Sequence, residues 1–319
     1  MASFTGTSIT SVGTPPGPRV DLSERSHHIR LLLAWSVALF VIVMLGAYGF
    51  SYYRLSLEDR PLSPLHAALR PSGTVGLRLG MLGFILFCIM FLYPIRKHVK
   101  WLAAIGKTRH WLDFHVLIGI TAPILITYHA AFKLGGLVGV AYWIMMAVAI
   151  SGFAGRYIYG QIPRSLNTAQ LSLAELQTQS ADLAAALERQ SLFPMDDLAP
   201  LLQVPSPAEV RAMTLAGVLW TMFKMDLSRP LLVSRLRRHV LKGSEWITTL
   251  GGMLRSRHPE VEEIVSRVRE QSWLRAKMVF LDRVMGIFHL WHVIHRPFSY
   301  SFAALVTIHI AVVLSLGYF

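Results

Sequence analysis

The sequence predicts an all-α membrane protein, with five transmembrane helices and a helical insert between the fourth and the fifth. Three observations lead there. Hydrophobic residues fill 53% of the 319 positions and mean hydropathy is +0.47, the composition of a chain solvated largely by lipid. Five apolar stretches are long enough to cross about 30 Å of hydrocarbon. The net charge of +13 collects beside those stretches, as cationic loops on the cytoplasmic side of a bilayer do. That distribution argues for a lipid bilayer and against nucleic acid as a partner.

Residues 1–24 are rich in Ser, Thr, Gly and Pro and lack the apolar core of a cleaved signal peptide. The first span covers about residues 31–53, and a polar segment with Pro61, Pro64, His66 and Pro71 follows it. The second span runs over about 75–95, with Arg78 near its start. A basic loop (Arg96, Lys97, Lys100, Lys107, Arg109) leads to the third, residues 110–132. The turn Lys133-Leu134-Gly135-Gly136 opens the fourth, which ends near Tyr159.

Residues 160–280 are more polar. Ser172-Leu-Ala-Glu175 and Ser206-Pro-Ala-Glu209 have the spacing of capping boxes. Periodicity and breakers predict helices over about 171–190, 207–225, 230–250 and 259–280. The apolar run 213–223 is too short to span and is flanked by Arg211, Lys224 and Asp226. The last span begins near Val293, with Pro297 kinking or resetting its first turn. The expected organisation is a disordered tail, 1–28; transmembrane helices one to four, 29–160; a cytoplasmic or membrane-surface insert, 161–280; and the fifth helix with an interfacial lead-in, 281–319. Placing the 96–109 loop and the Arg-rich insert inside puts the N-terminus in the cytoplasm and the C-terminus outside. Spans three and five then run in the same direction.

Those two spans carry the chemistry. His115 and His129 lie on span three, His295 and His309 on span five, at the same separation. Fourteen residues advance a helix by about 21 Å and return within about 40° of the starting face. Two parallel helices so marked form an inner couple, His115 with His295, and an outer couple, His129 with His309. Two stacked six-coordinate heme b groups need that arrangement. The single cysteine, Cys88, excludes a disulfide framework, an iron–sulfur cluster and covalent heme attachment from this chain alone. Hemes here are therefore non-covalent, with bis-histidine iron as the metal. The competing reading of each histidine is a hydrogen bond between helices.

Other residues have supporting roles in this reading. Gly119 lies one turn after His115, and Ala303 and Ala304 lie between the fifth-span ligands, which gives room for a flat macrocycle. Arg156 and Arg296 are inner-side partners for heme propionates, and Arg78 is the outer-side one, with His66, Arg70 and Lys133 as lesser alternatives. His292 lies 17 residues from His309, about 100° off its face, and is a secondary candidate for the inner heme. His289, Asp282, Asp113 and His66 are weak candidates for quinone protonation. His27, His28, His98, His239 and His258 are expected to be solvated, and His110, about 100° off the face of His129, is a poor partner for it.

The two paired helices resemble those of membrane diheme b-type cytochromes, the broad group that includes respiratory cytochrome b subunits, formate dehydrogenase membrane subunits and ferric-reductase-like domains. The segments Leu69-Arg-Pro-Ser-Gly73, Ser151-Gly-Phe-Ala-Gly-Arg-Tyr157 and Phe288-His-Leu-Trp-His-Val-Ile-His-Arg-Pro-Phe298 are similar to those of bacterial b-type or ferric-reductase-like cytochromes. The resemblance covers nearly all of the membrane part and not the insert. It implies that His115, His129, His295 and His309 are axial ligands and that the activity is transmembrane electron transfer. The chain departs from ferric reductases in lacking flavin and nicotinamide domains and a G-x-G-x-x-G motif, and from the classical quinol–cytochrome c complex in having fewer spans. The expectation is a subunit of a multi-pass redox complex in the bacterial inner membrane. It would link a quinone pool or cytoplasmic-side donor to an outer-side multiheme c-type cytochrome or iron–sulfur subunit. The alternatives are a ferric or metal reductase subunit served by a separate flavoprotein, and a non-redox scaffold or transporter with structural histidines.

Overall fold

The computed structural model describes residues 22–162, 173–190, 192–238 and 249–317, and among these there is no β-strand. The helices are α1 (Leu22–Tyr53), α2 (His66–Leu69), α3 (Thr74–Ile95), α4 (Lys100–Ala103), α5 (Thr108–His129) and α6 (Gly136–Gln161), followed by α7 (Leu173–Glu188), α8 (Met195–Leu202), α9 (Pro207–Ala212), α10 (Leu215–Arg238) and α11 (Pro259–Ser315). Five of them, α1, α3, α5, α6 and α11, are long and apolar enough to cross a membrane. The chain divides into two compact units, Met1–Trp143 with Ile308–Phe319, and Ile144–Thr307.

In the first unit α5 packs along α3 and against α1. The apolar face of α1 is left open, with Leu33, Phe40 and Val43 more than half exposed. A face of that kind would drive aggregation in water and is stable against acyl chains. At one end of the unit Arg60 is buried and donates to the carbonyls of Leu55 (3.2 Å), Tyr53 (3.1 Å) and Ala131. A guanidinium is well suited to collect the orphan carbonyls where helices end. Here α5 stops at His129, and Ala131 and Phe132 take left-handed backbone (φ 47° and 59°). Each such non-glycine residue costs about 1–2 kcal/mol, offset here by the Arg60 contact and the complete burial of Ala131.

The other end of this unit differs from the sequence expectation in one respect. His27 is buried rather than solvated, because its Nε2 meets Asp113 Oδ2 at 3.0 Å and its ring stacks on His110 at 3.6 Å. Glu24 sits beside them, paired with Lys107 (2.6 Å) and Arg109. His28, His98 and His258 are exposed as expected, and His239 lies outside the described residues.

The second unit holds two apolar clusters. Leu187, Phe193, Leu198 and Leu201 pack with Val233, Leu236, Val261, Val265 and Val268, while Ile158 and Ile162 pack with Val210, Val218, Met222, Phe280 and Val284. A buried ion pair ties the first: Arg237 meets Glu262 at 2.7 Å and also donates to the Gly252 and Met253 carbonyls. The Ser206 capping box forms with both bonds, Glu209 N to Ser206 Oγ at 3.2 Å and Ser206 N to Glu209 Oε2 at 2.7 Å, and hydrogen bonds from the Ser206 backbone and then its side chain hold the Glu209 carboxyl below its ordinary range. The box expected at Ser172 lies outside the described residues.

Two expected breaks are absent. The sequence suggests a helix end between residues 225 and 230, yet α10 runs through Pro230. Its actual break lies at Met213 and Thr214, and Asp226 is held in the helix by Arg229 (2.8 Å) and by Tyr157 (2.9 Å). The separate helices expected over 259–280 and from 293 are one continuous helix, α11, of 57 residues that passes through Pro297. Two turns of apolar burial, with Phe280, Val284 and Ile287 all in the second cluster, carry it through the interval. Lys277, also buried, donates to the Gly160 carbonyl (2.8 Å) at the end of α6, where a cation complements the helix dipole.

Candidate functional site

Three of the four paired histidines are held in one chemical manner. His129, at the end of α5, places Nδ1 2.8 Å from the Gly76 carbonyl on α3. His115, four turns earlier on α5, places Nδ1 3.2 Å from the Met90 carbonyl, also on α3. His295, on α11, places Nδ1 2.7 Å from Ser151 Oγ on α6. A carbonyl only accepts, so Nδ1 of His115 and His129 carries the proton. The Ser151 hydroxyl donates its own hydrogen to the Val148 carbonyl at 2.8 Å, so it too accepts from His295. In His115 and His129 Nε2 is left as the atom with a free lone pair, the state in which a neutral imidazole ligates a metal.

The rings are also positioned by missing side chains. A Cβ on Gly80 would come within 2.7 Å of the His129 ring, so only glycine there lets the imidazole lie against α3. On α6 a Cβ on Gly155 would come within 2.2 Å of the Trp291 indole. Trp291 in turn donates Nε1–H to the Ser151 carbonyl (2.7 Å) and stacks on His295 with ring centroids 4.7 Å apart. Ser151, Gly155 and Trp291 thus form a bracket around His295. His115 is bordered by Tyr93, at 5.1 Å between ring centroids.

Within the first unit His309 lies close enough to His129 to interact with it electrostatically, and both are half-buried. His115 belongs to the first unit and His295 to the second. Gly119 faces Met90 on α3, whose Sδ lies 3.6 Å from the position of a Cβ. Arg156 is half-buried, whereas Arg78 and Arg296 are exposed. His292 turns back onto its own helix, with Nδ1 3.0 Å from the Phe288 carbonyl, and His289 is exposed. His66 meets Tyr52 Oη at 3.1 Å.

Among the described residues no group of three or more His, Cys, Asp or Glu side chains converges as a metal cage. His129 and His309, which interact electrostatically, are two in number, and two is the donor number that bis-histidine heme iron would take from a protein. The protonation state and glycine-lined setting of His129 fit that group. Comparison of the chain with family models, with curated proteins and with solved structures finds no match.

Proposed function

We propose that this chain is a diheme b-type cytochrome subunit that carries electrons across a membrane. The single observation that carries the reading is the shared hydrogen-bonding state of His115 and His129, each with Nδ1–H committed to a carbonyl of α3 and Nε2 left as the ligand atom. A structural histidine needs only one good partner. Two on one apolar helix, fourteen residues apart and with the same nitrogen committed to the same neighbouring helix, point to a common use of the other nitrogen.

Heme b, when bound, supplies one-electron chemistry at iron. The chain's part is to hold the iron by His115 with His295 and by His129 with His309, to fix each imidazole plane, and to keep water away with apolar helices. The Nδ1–H bonds raise the basicity of the ligating nitrogen, which is one means of setting a reduction potential. Arg156 and Arg296 would face the propionates of the inner group and Arg78 those of the outer one. The placement is the inner membrane of a bacterium, with N-terminus and insert cytoplasmic and C-terminus outside. The donor is a quinone pool or a cytoplasmic-side protein, and the acceptor an outer-side c-type cytochrome or iron–sulfur subunit.

The purified chain should show a dithionite-reduced b-type α band and two hemes per polypeptide by pyridine hemochrome. His129→Ala and His309→Ala should each remove one and the same heme, and His115→Ala and His295→Ala the other. A folded protein that binds no heme would overturn the proposal and leave the histidines as helix-to-helix contacts.

A further inference from the structure

The second unit has an apolar face that none of its described residues cover. On α10, Val218, Met222, Val233 and Leu236 are buried in the unit's clusters. On the opposite side Trp220, Phe223, Leu227 and Leu231 are between 47% and 67% exposed. At about 100° per residue those four fall within an arc of about 80°. The helix is thus apolar on two opposite faces, and only one of them has a partner among the described residues.

A second element extends the open face. The turn after residue 248 puts Leu250, Gly251 and Gly252 in left-handed backbone (φ 49°, 66° and 85°). A leucine in that conformation is strained, yet its side chain gains no burial, being 66% exposed beside Met253 and Leu254. Arg237 and Arg238, from the end of α10, hold the turn through the carbonyls of Gly252, Met253 and Gly251. Strain that leaves Leu250, Met253 and Leu254 exposed among the described residues is stable only if something beyond those residues covers them.

The rim shows what covers them. Lys224 and Arg235 lie about 20° apart on one edge of the α10 stripe, and Arg238 and Arg255 adjoin the turn; all four are exposed. An apolar strip edged by cations is complementary to acyl chains beneath anionic phosphate headgroups. We infer that α10 and the Leu250–Leu254 turn lie in the plane of the bilayer surface, as an in-plane anchor for anionic phospholipid. The inference depends on the chain residing in a membrane and not on heme, so its failure leaves the cytochrome reading untouched.

The test uses the full chain with Cys88→Ala, a fluorophore on Leu227→Cys, and nanodiscs of phosphatidylcholine with or without phosphatidylglycerol. Leu231→Cys reports on the same stripe independently, and Ala208→Cys, exposed elsewhere in the insert, is the control. The stripe labels should shift to the blue, be quenched by brominated lipid and resist aqueous iodide, while the control is quenched by iodide alone. Lys224→Glu with Arg235→Glu should abolish any gain from phosphatidylglycerol. Iodide quenching of the stripe equal to that of the control would overturn the inference. So would protection in native membranes that is lost in nanodiscs, since the cover would then be another protein.

Discussion

His129 and His295 achieve the same end with different materials. The acceptor for His129 is the Gly76 carbonyl, part of the main chain, and the ring is pressed against Gly80. The acceptor for His295 is the Ser151 hydroxyl, and the ring is bracketed by the Trp291 indole. A carbonyl fixes the imidazole tautomer whatever side chain the residue bears. A hydroxyl fixes it only because the Val148 carbonyl takes the hydroxyl hydrogen. One histidine is therefore vulnerable to crowding and the other to loss of a polar atom.

Gly80→Ala should have the largest effect. Its new Cβ would sit 2.7 Å from the His129 ring, and either α3 or the imidazole must move. Overpacking of this kind costs about 1–3 kcal/mol. The measurable result is loss of the heme that His129→Ala also removes, read by pyridine hemochrome. Retention of both hemes with unchanged spectra would mean that the tight fit is not part of the ligand's positioning.

Ser151→Ala should come next. It leaves the ring in place against Trp291 but removes the acceptor, and losses of such partners cost about 10–100-fold in metal affinity. The heme assigned to His115 and His295 should bind more weakly and change its midpoint potential in a redox titration, while the other keeps its value. A shift in both, or in neither, would break the assignment of Ser151 to one site. Gly152→Ala should do least, because its Cβ would lie 3.6 Å from His295 Cε1, an ordinary contact. Heme content and both potentials should match the parent protein, which sharpens the contrast with Gly80.

The five long apolar helices were readable because a bilayer imposes a length, and segments too short or too charged to meet it stand out. That His115 and His129 both meet α3 was readable because fourteen-residue spacing is a geometric statement about one helix face. Their acceptors were not. Met90 and Gly76 act through carbonyls, which leave no mark in the side-chain alphabet; only the glycines at 76, 80 and 83 on α3 hinted that something approaches closely. Ser151 lay in a segment singled out for its resemblance, without its hydrogen bond being foreseen. The burial of His27 was missed because its partners Asp113 and His110 are more than 80 residues away, and local polarity alone argues for solvent. Pro230 and Pro297 misled in the same sense: each removes one backbone donor, and packing on the helix faces outweighs that loss.

The continuity of α11 has a consequence for how this chain can change length. Its 57 residues make a rod of about 85 Å, nearly three bilayer cores long. Val261, Val265 and Val268 seat its first turns in the insert's cluster, and His295 rides on a later one. Adding one residue between these groups would rotate His295 by about 100°, and adding seven restores the angle to within about 20° but displaces it by about 10 Å. No insertion or deletion preserves both rotation and depth. The stretch 269–294, with no candidate ligand before His289, is thus a fixed-length ruler, and tolerated changes in length should fall in the segments between helices.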